Sequence, residues 1–314
     1  MKRLSAILSG GLIVLFSLLT ICSASAQFYA VSRIGSTVGE YDASTGSAIN
    51  PSLISLGTDG FYAAAISGND LYVSSGNVTN GTGSVGVYNA TTGAAIYPSL
   101  ISGNSILYDL AISGNTLYVA TNANTNIGTY DATTGTPINT SFISSGVSPI
   151  GLAISGNDLF VTNGNGTVGK FDATTGAPIN ASFISGLQAP EGIAISGNNL
   201  YVANLSSGSI GEYDATTGTM INASLVSGLS FPAGISIWGN DLFVANSGNG
   251  EVGEYDATTG VAINASLVSL ANVVGVTVVP EPSQTSTIML LIGLGFLLRK
   301  CRLTRRSLQR PGMN

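Results

Sequence analysis

Histidine is absent from the 314-residue chain, cysteine occurs twice, tryptophan once, and only 8% of positions carry charge. Without imidazole there can be no Ser-His-Asp triad, Cys-His pair, histidine general base or histidine-ligated zinc. The cysteines, Cys22 and Cys301, both lie in the end segments. The stretch between them therefore has no disulfide and no thiolate metal site, and must be held by its apolar core, which about 250 residues readily supply. Long apolar runs are also missing, except near the two termini. What is abundant is glycine, 41 residues, together with recurrent Ser, Thr and Asn, a composition for short strands joined by tight turns.

The ten basic residues are unevenly placed: eight sit in the two end segments, and only Arg33 and Lys170 are internal. All sixteen acidic residues lie between Glu40 and Glu281, so trimming both ends leaves a net charge of about −14. Such a domain is repelled by nucleic acid and by anionic lipid surfaces, and neither is expected as a partner.

Both ends read as addresses. Residues 1–26 have Lys2 and Arg3, an apolar run from Ile7 to Ile21, and Ala24-Ser25-Ala26 before Gln27, the pattern of a secretory signal peptide cleaved after Ala26. Residues 280–306 begin with Pro280-Glu281-Pro282, continue through an apolar span from Ile288 to Leu298, and end in a basic cluster of Arg299, Lys300, Arg302, Arg305 and Arg306; residues 307–314 follow as a short cytoplasmic tail. The span is short against the roughly 20 residues of an ordinary membrane helix, and the basic cluster holds its end on the cytoplasmic side. This tail resembles the PEP-CTERM sorting signal of Gram-negative bacteria that make exopolysaccharide, with Pro280, Glu281 and Pro282 at the motif. The resemblance implies transient membrane insertion through the transmembrane segment, cleavage by an exosortase, and release to the cell surface or extracellular matrix.

Between the ends the hexapeptide Tyr-Asp-Ala-Thr-Thr-Gly begins at Tyr130, Tyr213 and Tyr255, with variants at Tyr41, Tyr88 and Phe171, at spacings of 47, 42, 41, 42 and 42. A period near 42 with strand-like content predicts propeller blades of four strands each. In one unit the predicted strands are Gly192–Ser196, Leu200–Asn204, Ser209–Tyr213 and Met220–Val226, with turns at Asn198-Asn199 and Asp214–Gly218. The first unit starts at Phe28, on a second strand, and its missing first strand is supplied by Gly275–Val279 at the other end. The expectation is an all-β, monomeric, six-bladed β-propeller over residues 27–279, closed by a Velcro pairing of its two ends. The segment Pro190 to Asn204, running on to Gly211-Glu-Tyr-Asp214, resembles NHL and related six-bladed propeller repeats, except that the acidic residue usual after Tyr-Val-Ala is Asn204 or Asn246 here.

In such a ring the residues that converge on the central channel are those just before each first strand: Tyr62, Tyr108, Ile150, Glu191, Ala233 and Val274. With one carboxylate among six positions, no catalytic residue, metal site or cofactor is expected, and the chain reads as a binding or scaffold module for exopolysaccharide or envelope proteins. The competing enzyme reading is a calcium-dependent hydrolase centred on Glu191, with Asp109 as helper, because Pro190-Glu191-Gly192 resembles the corresponding segment of six-bladed lactonases. Gly164 to Lys170 imitates a phosphate-binding loop, but Phe171 stands at the Ser/Thr position and the register makes it a strand. The repeated Asp131, Asp172, Asp214 and Asp256 read as turn residues, replaceable by Asn89. Tyr72, Tyr118, Phe160, Tyr201 and Phe243 read as inter-blade packing. Tyr62, Tyr108 and Trp238 lie off that ladder and are candidates for contact with a glycan.

Overall fold

Short β-branched and aromatic runs broken by glycine turns favour strands, and the structure, a computed structural model, is strand and turn throughout the described residues. It describes residues 26–56, 60–103, 105–121, 125–144 and 148–279. The signal segment up to Ser25, the motif Pro280-Glu281-Pro282 and the apolar span beyond it lie outside the described residues. Among the described residues no helix is long and apolar enough to cross a membrane.

The described residues form twenty-four strands in six antiparallel four-stranded sheets. Written from the channel outward, blade 1 is Val273–Val279, Gln27–Ser32, Thr37–Asp42 and Ala48–Ser55, and blade 2 is Gly60–Ser67, Asp70–Asn77, Thr82–Asn89 and Ala95–Gly103. Blade 3 is Leu107–Ser113, Thr116–Thr121, Asn126–Asp131 and Pro137–Ser144; blade 4 is Pro149–Ser155, Asp158–Asn163, Thr167–Asp172 and Pro178–Ser185. Blade 5 is Pro190–Ser196, Asn199–Asn204, Ser209–Asp214 and Met220–Val226; blade 6 is Pro232–Trp238, Asp241–Asn246, Glu251–Asp256 and Ala262–Ser269. Blade 1 is therefore built from both ends of the domain, with Phe28 opposite Val278 and Ala30 opposite Val276. One turn differs from expectation: it falls on Gly197-Asn198, because Gly197 takes the positive φ of 59° and Asn199 joins the ladder opposite Ser196 and Asp214.

Because both faces of each sheet are covered by a neighbouring sheet, the core consists of six clusters, each shared by two adjacent blades. One of them unites Tyr29, Val31 and Val38 of blade 1 with Phe61, Leu71 and Tyr88 of blade 2. The first apolar residue of each second strand, Phe28, Leu71, Leu117, Leu159, Leu200 or Leu242, is wholly buried, and each contributes about 2–3 kcal/mol of burial.

Hydrogen bonds repeat the same logic between blades. The hydroxyls of Tyr29, Tyr72, Tyr118 and Tyr201 donate to the turn carbonyls of Ala90, Ala132, Ala173 and Ala257 in the next blade, at 3.0, 3.1, 2.7 and 3.3 Å. In blade 4 Phe160 has no hydroxyl, and the ammonium of Lys170 reaches Ala215 O instead, at 3.2 Å. The turn aspartates behave as the sequence indicates. Asp131 Oδ1 accepts from the Thr133 and Thr134 amides and from Thr134 Oγ1, and Asn89 accepts from the Thr91 and Thr92 amides in the same way. Glycine closes this turn for two reasons. Gly260 holds a φ of 71°, and a Cβ there would collide with the Leu225 carbonyl of the preceding blade.

The outer strands are exposed edges, and they blunt themselves. Asn139, Asn180, Asn222 and Asn264 each accept the amide of the serine two residues on, at 3.0–3.2 Å, withdrawing a donor that another strand could otherwise pair with. Asn163, Asn204 and Asn246 are buried opposite Pro149, Pro190 and Pro232. Proline brings no N–H, and the main-chain carbonyls of these asparagines accept from the turn amides of Gly166, Gly208 and Gly250.

Candidate binding site at the channel mouth

The first strands all begin at the same end of the channel. Tyr62, Tyr108, Ile150, Glu191, Ala233 and Val274 line one cavity of about 580 Å³, together with Arg33 and Asp109. The position that follows is glycine in four blades, because the neighbouring blade's backbone occupies the space of a side chain: a Cβ on Gly234 would lie 2.7 Å from Gly275 Cα. Blade 3 has Asp109 there. Its Oδ1 accepts from its neighbour Leu110 N at 2.8 Å and its Oδ2 from Leu152 N of blade 4 at 2.7 Å. Burial pushes its carboxyl up to about 6, while the two amides hold it down. In blade 4 Thr162 acts similarly, accepting from Gly151 N at 2.7 Å and donating to Glu191 O of blade 5 at 2.6 Å. These bonds fix the spacing of the mouth residues above them.

At the mouth, Arg33 extends from the loop after Ser32. Its Nη2 donates to Tyr62 Oη at 3.0 Å, and the guanidinium carbon lies 4.6 Å from the centre of the Tyr62 ring. The Tyr62 and Tyr108 rings meet edge to face at 5.8 Å. Burial raises the Glu191 carboxyl, and Arg33 partly offsets the rise. Burial also raises the Tyr108 phenol, with the charge of Glu191 adding to it and Arg33 opposing it. The result is one exposed cation, two aromatic rings and one carboxylate around a single opening.

The structure brings together Tyr62, Tyr108 and Glu191 and leaves Trp238 apart. Trp238 lies at the far end of its strand, opposite Asp241, half-buried against the cluster shared by blades 6 and 1. Arg33 joins the site without having been a candidate; the one signal for it was that it is one of two internal basic residues. Asp109 shares the cavity with Glu191, but its oxygens are turned to backbone amides, which leaves Glu191 without a second available carboxylate. Among the described residues no group of three or more His, Cys, Asp or Glu side chains is placed to hold a metal ion. Gln27, just after the expected cleavage point, starts the second strand of blade 1, and the carbonyl of Ala26 before it accepts from Ala43 N at 2.8 Å.

No known protein family matches the sequence, and no curated protein does. Solved structures do match in shape. A chain from a crystal structure of a nidogen/laminin complex superposes with a TM-score of 0.69 at 11% identity, over 82% of this chain and 98% of its own. A computationally designed protein, Ika8, superposes with a TM-score of 0.50 at 17% identity, over 79% of this chain and 73% of its own. Likeness at this identity establishes the class by fold alone: the chain is a six-bladed β-propeller.

Proposed function

We propose that the protein is an exported, non-catalytic binding module that presents its channel mouth to an exopolysaccharide or an envelope protein. The observation that carries this reading is the grouping of Arg33, Tyr62, Tyr108 and Glu191 around one opening, with Asp109 committed to the backbone beneath them. A guanidinium held over a tyrosine ring offers directed donors to a carboxylate or hydroxyl, and the rings supply apolar faces for a sugar. Glu191 has no second free carboxylate with which to share a divalent ion, since both Asp109 oxygens accept backbone amides. Export rests on the sequence of the two ends, with the exosortase as processing partner and the cell surface or matrix as destination.

The test is titration of the full chain with exopolysaccharide purified from its host. Tyr62→Ala/Tyr108→Ala is expected to abolish binding and Arg33→Ala to weaken it at least tenfold. Unchanged binding in both variants would remove the mouth from the interface. The hydrolase reading survives only if calcium-dependent lactone turnover is found and is lost in Glu191→Gln.

A further inference from the structure

Between adjacent blades, on the face carrying the aspartate turns, one residue of the second strand and one of the third stand at equivalent positions in every blade: Gln27 and Glu40, Asp70 and Val87, Thr116 and Thr129, Asp158 and Lys170, Asn199 and Glu212, Asp241 and Glu254. In blades 3 and 4 they wall a slot. Blades 3 and 4 differ from the rest in a further way, since their outer strands carry Phe142 and Phe183 where the others carry leucine. These phenylalanines pack on Tyr118 and Phe160 at 5.8 and 5.7 Å. Each of the two slots therefore has a pair of rings, tyrosine with phenylalanine in blade 3 and two phenylalanines in blade 4.

What fills them differs. In blade 4 the slot contains its own plug: Lys170 Nζ pairs with Asp158 at 2.9 Å, donates to Ala215 O, and lies 5.3 Å from each of the Phe160 and Phe183 rings. In blade 3 both partners of that ion pair are threonine, and the space is an open cavity of about 550 Å³. Around the rings it is lined by Ser113, Thr116, Thr129 and Asn139 of blade 3 and by Asn157 and Thr174 of blade 4, with no charged residue in the lining. The Asn157 and Thr174 side chains bond each other at 2.5 Å and Tyr118 Oη is taken by Ala173 O, whereas the Ser113 and Thr116 hydroxyls and the Asn139 amide nitrogen have no partner among the described residues.

We propose that the slot between blades 3 and 4 is a second binding site, separate from the channel mouth, for an uncharged sugar unit of a saccharide. Removal of acid and base together leaves a neutral, hydroxyl-lined slot. A cationic ligand would find none of the carboxylate that Lys170 uses, whereas a pyranose can place its C–H face on Phe142 and its hydroxyls on Ser113, Thr116 and Asn139. The volume accommodates one to a few sugar units of a longer chain.

The experiment titrates the full chain with maltotriose, cellotriose and trigalacturonate, and separately with tetramethylammonium. At least one neutral trisaccharide is expected to bind with a dissociation constant of about 1 mM or tighter, insensitive to salt and unchanged in Tyr62→Ala/Tyr108→Ala. Thr116→Asp/Thr129→Lys installs the blade 4 plug and is expected to reduce that binding at least tenfold with the melting temperature retained. Thr116→Val, which keeps the shape and removes one hydroxyl, is expected to reduce it severalfold even if the double variant fails to fold. The proposal is overturned if neither neutral trisaccharide binds, if binding persists in the plugged protein, if Thr116→Val binds as the wild type does, or if trigalacturonate or tetramethylammonium binds in their place.

Discussion

Deleting Val276–Val279, so that Gly275 joins Pro280 directly, removes most of the strand that closes the ring. Val276 and Val278 are each only 8% exposed and belong to the cluster shared with blade 6. Burial of two such valines stabilises by roughly 3–6 kcal/mol, a large share of the 5–15 kcal/mol typical of a whole domain. The deletion also breaks the ladder from Gln27 to Ala30, leaving an unpaired apolar edge carrying Phe28. At roughly 2–4 °C per kcal/mol for a domain of this size, the loss corresponds to a melting temperature lower by about 10–20 °C, with soluble aggregation as the edge pairs with other copies. Circular dichroism melts and size-exclusion chromatography on the full chain measure both. A deletion protein that stays monomeric and melts within about 2 °C of the intact chain would show that the ring does not close through this strand.

Other expectations concern single groups and the ends. Burial and the neighbouring Asp241 push the Glu254 carboxyl up to about 7. A raised folded-state value stabilises below the ordinary carboxylate range and is lost as pH rises through 7, so the wild type should lose melting temperature between pH 4.5 and 8 and Glu254→Gln should lose less; identical pH profiles would contradict this. Asp109, raised to about 6, acts in the same direction, and Asp109→Asn should further flatten the profile. The turn aspartates titrate the other way. Hydrogen bonds from the turn, chiefly the Thr217 amide, hold Asp214 below its ordinary value, so its contribution is present at neutral pH and lost in acid. Asp214→Asn, which keeps an Oδ1 acceptor for the turn amides as Asn89 does in blade 2, should lower the neutral melting temperature slightly and remove the loss in acid, and Asp214→Ala should lower the neutral value more. Changing Pro280-Glu281-Pro282 to alanines should leave an uncut C-terminus in the membrane fraction, read by intact mass; surface release despite the change would show that the motif is not the sorting signal.

The ring was legible in the sequence because repetition does the work that long-range contacts usually hide. A hexapeptide at nearly constant spacing fixes the phase of every strand, so that Phe28 reads as a second strand and Gly275 as the first strand it lacks. The same phase placed Tyr62, Tyr108 and Glu191 at one end of the channel. Arg33 was not legible, because it lies in a loop of blade 1 outside the repeat's strand phase and meets Tyr62 only when blades 1 and 2 pack together. Trp238 broke the repeat as visibly as the tyrosines, yet its place at the far end of a strand gave it a packing role. The open slot of blade 3 depends on Thr116 and Thr129 together, two substitutions that look trivial until strand pairing sets Thr129 opposite Tyr118 and the blade 4 ion pair shows what is missing.

The central claim, that the propeller binds and does not transform its ligand, is tested most directly by incubating the full chain with the host's exopolysaccharide, with and without calcium. Bound polymer and the chain-length distribution are then measured in the same sample. Saturable binding with polymer recovered at its original length is the predicted result. Polymer shortened in a calcium-dependent way, with the shortening lost in Glu191→Gln, would contradict it.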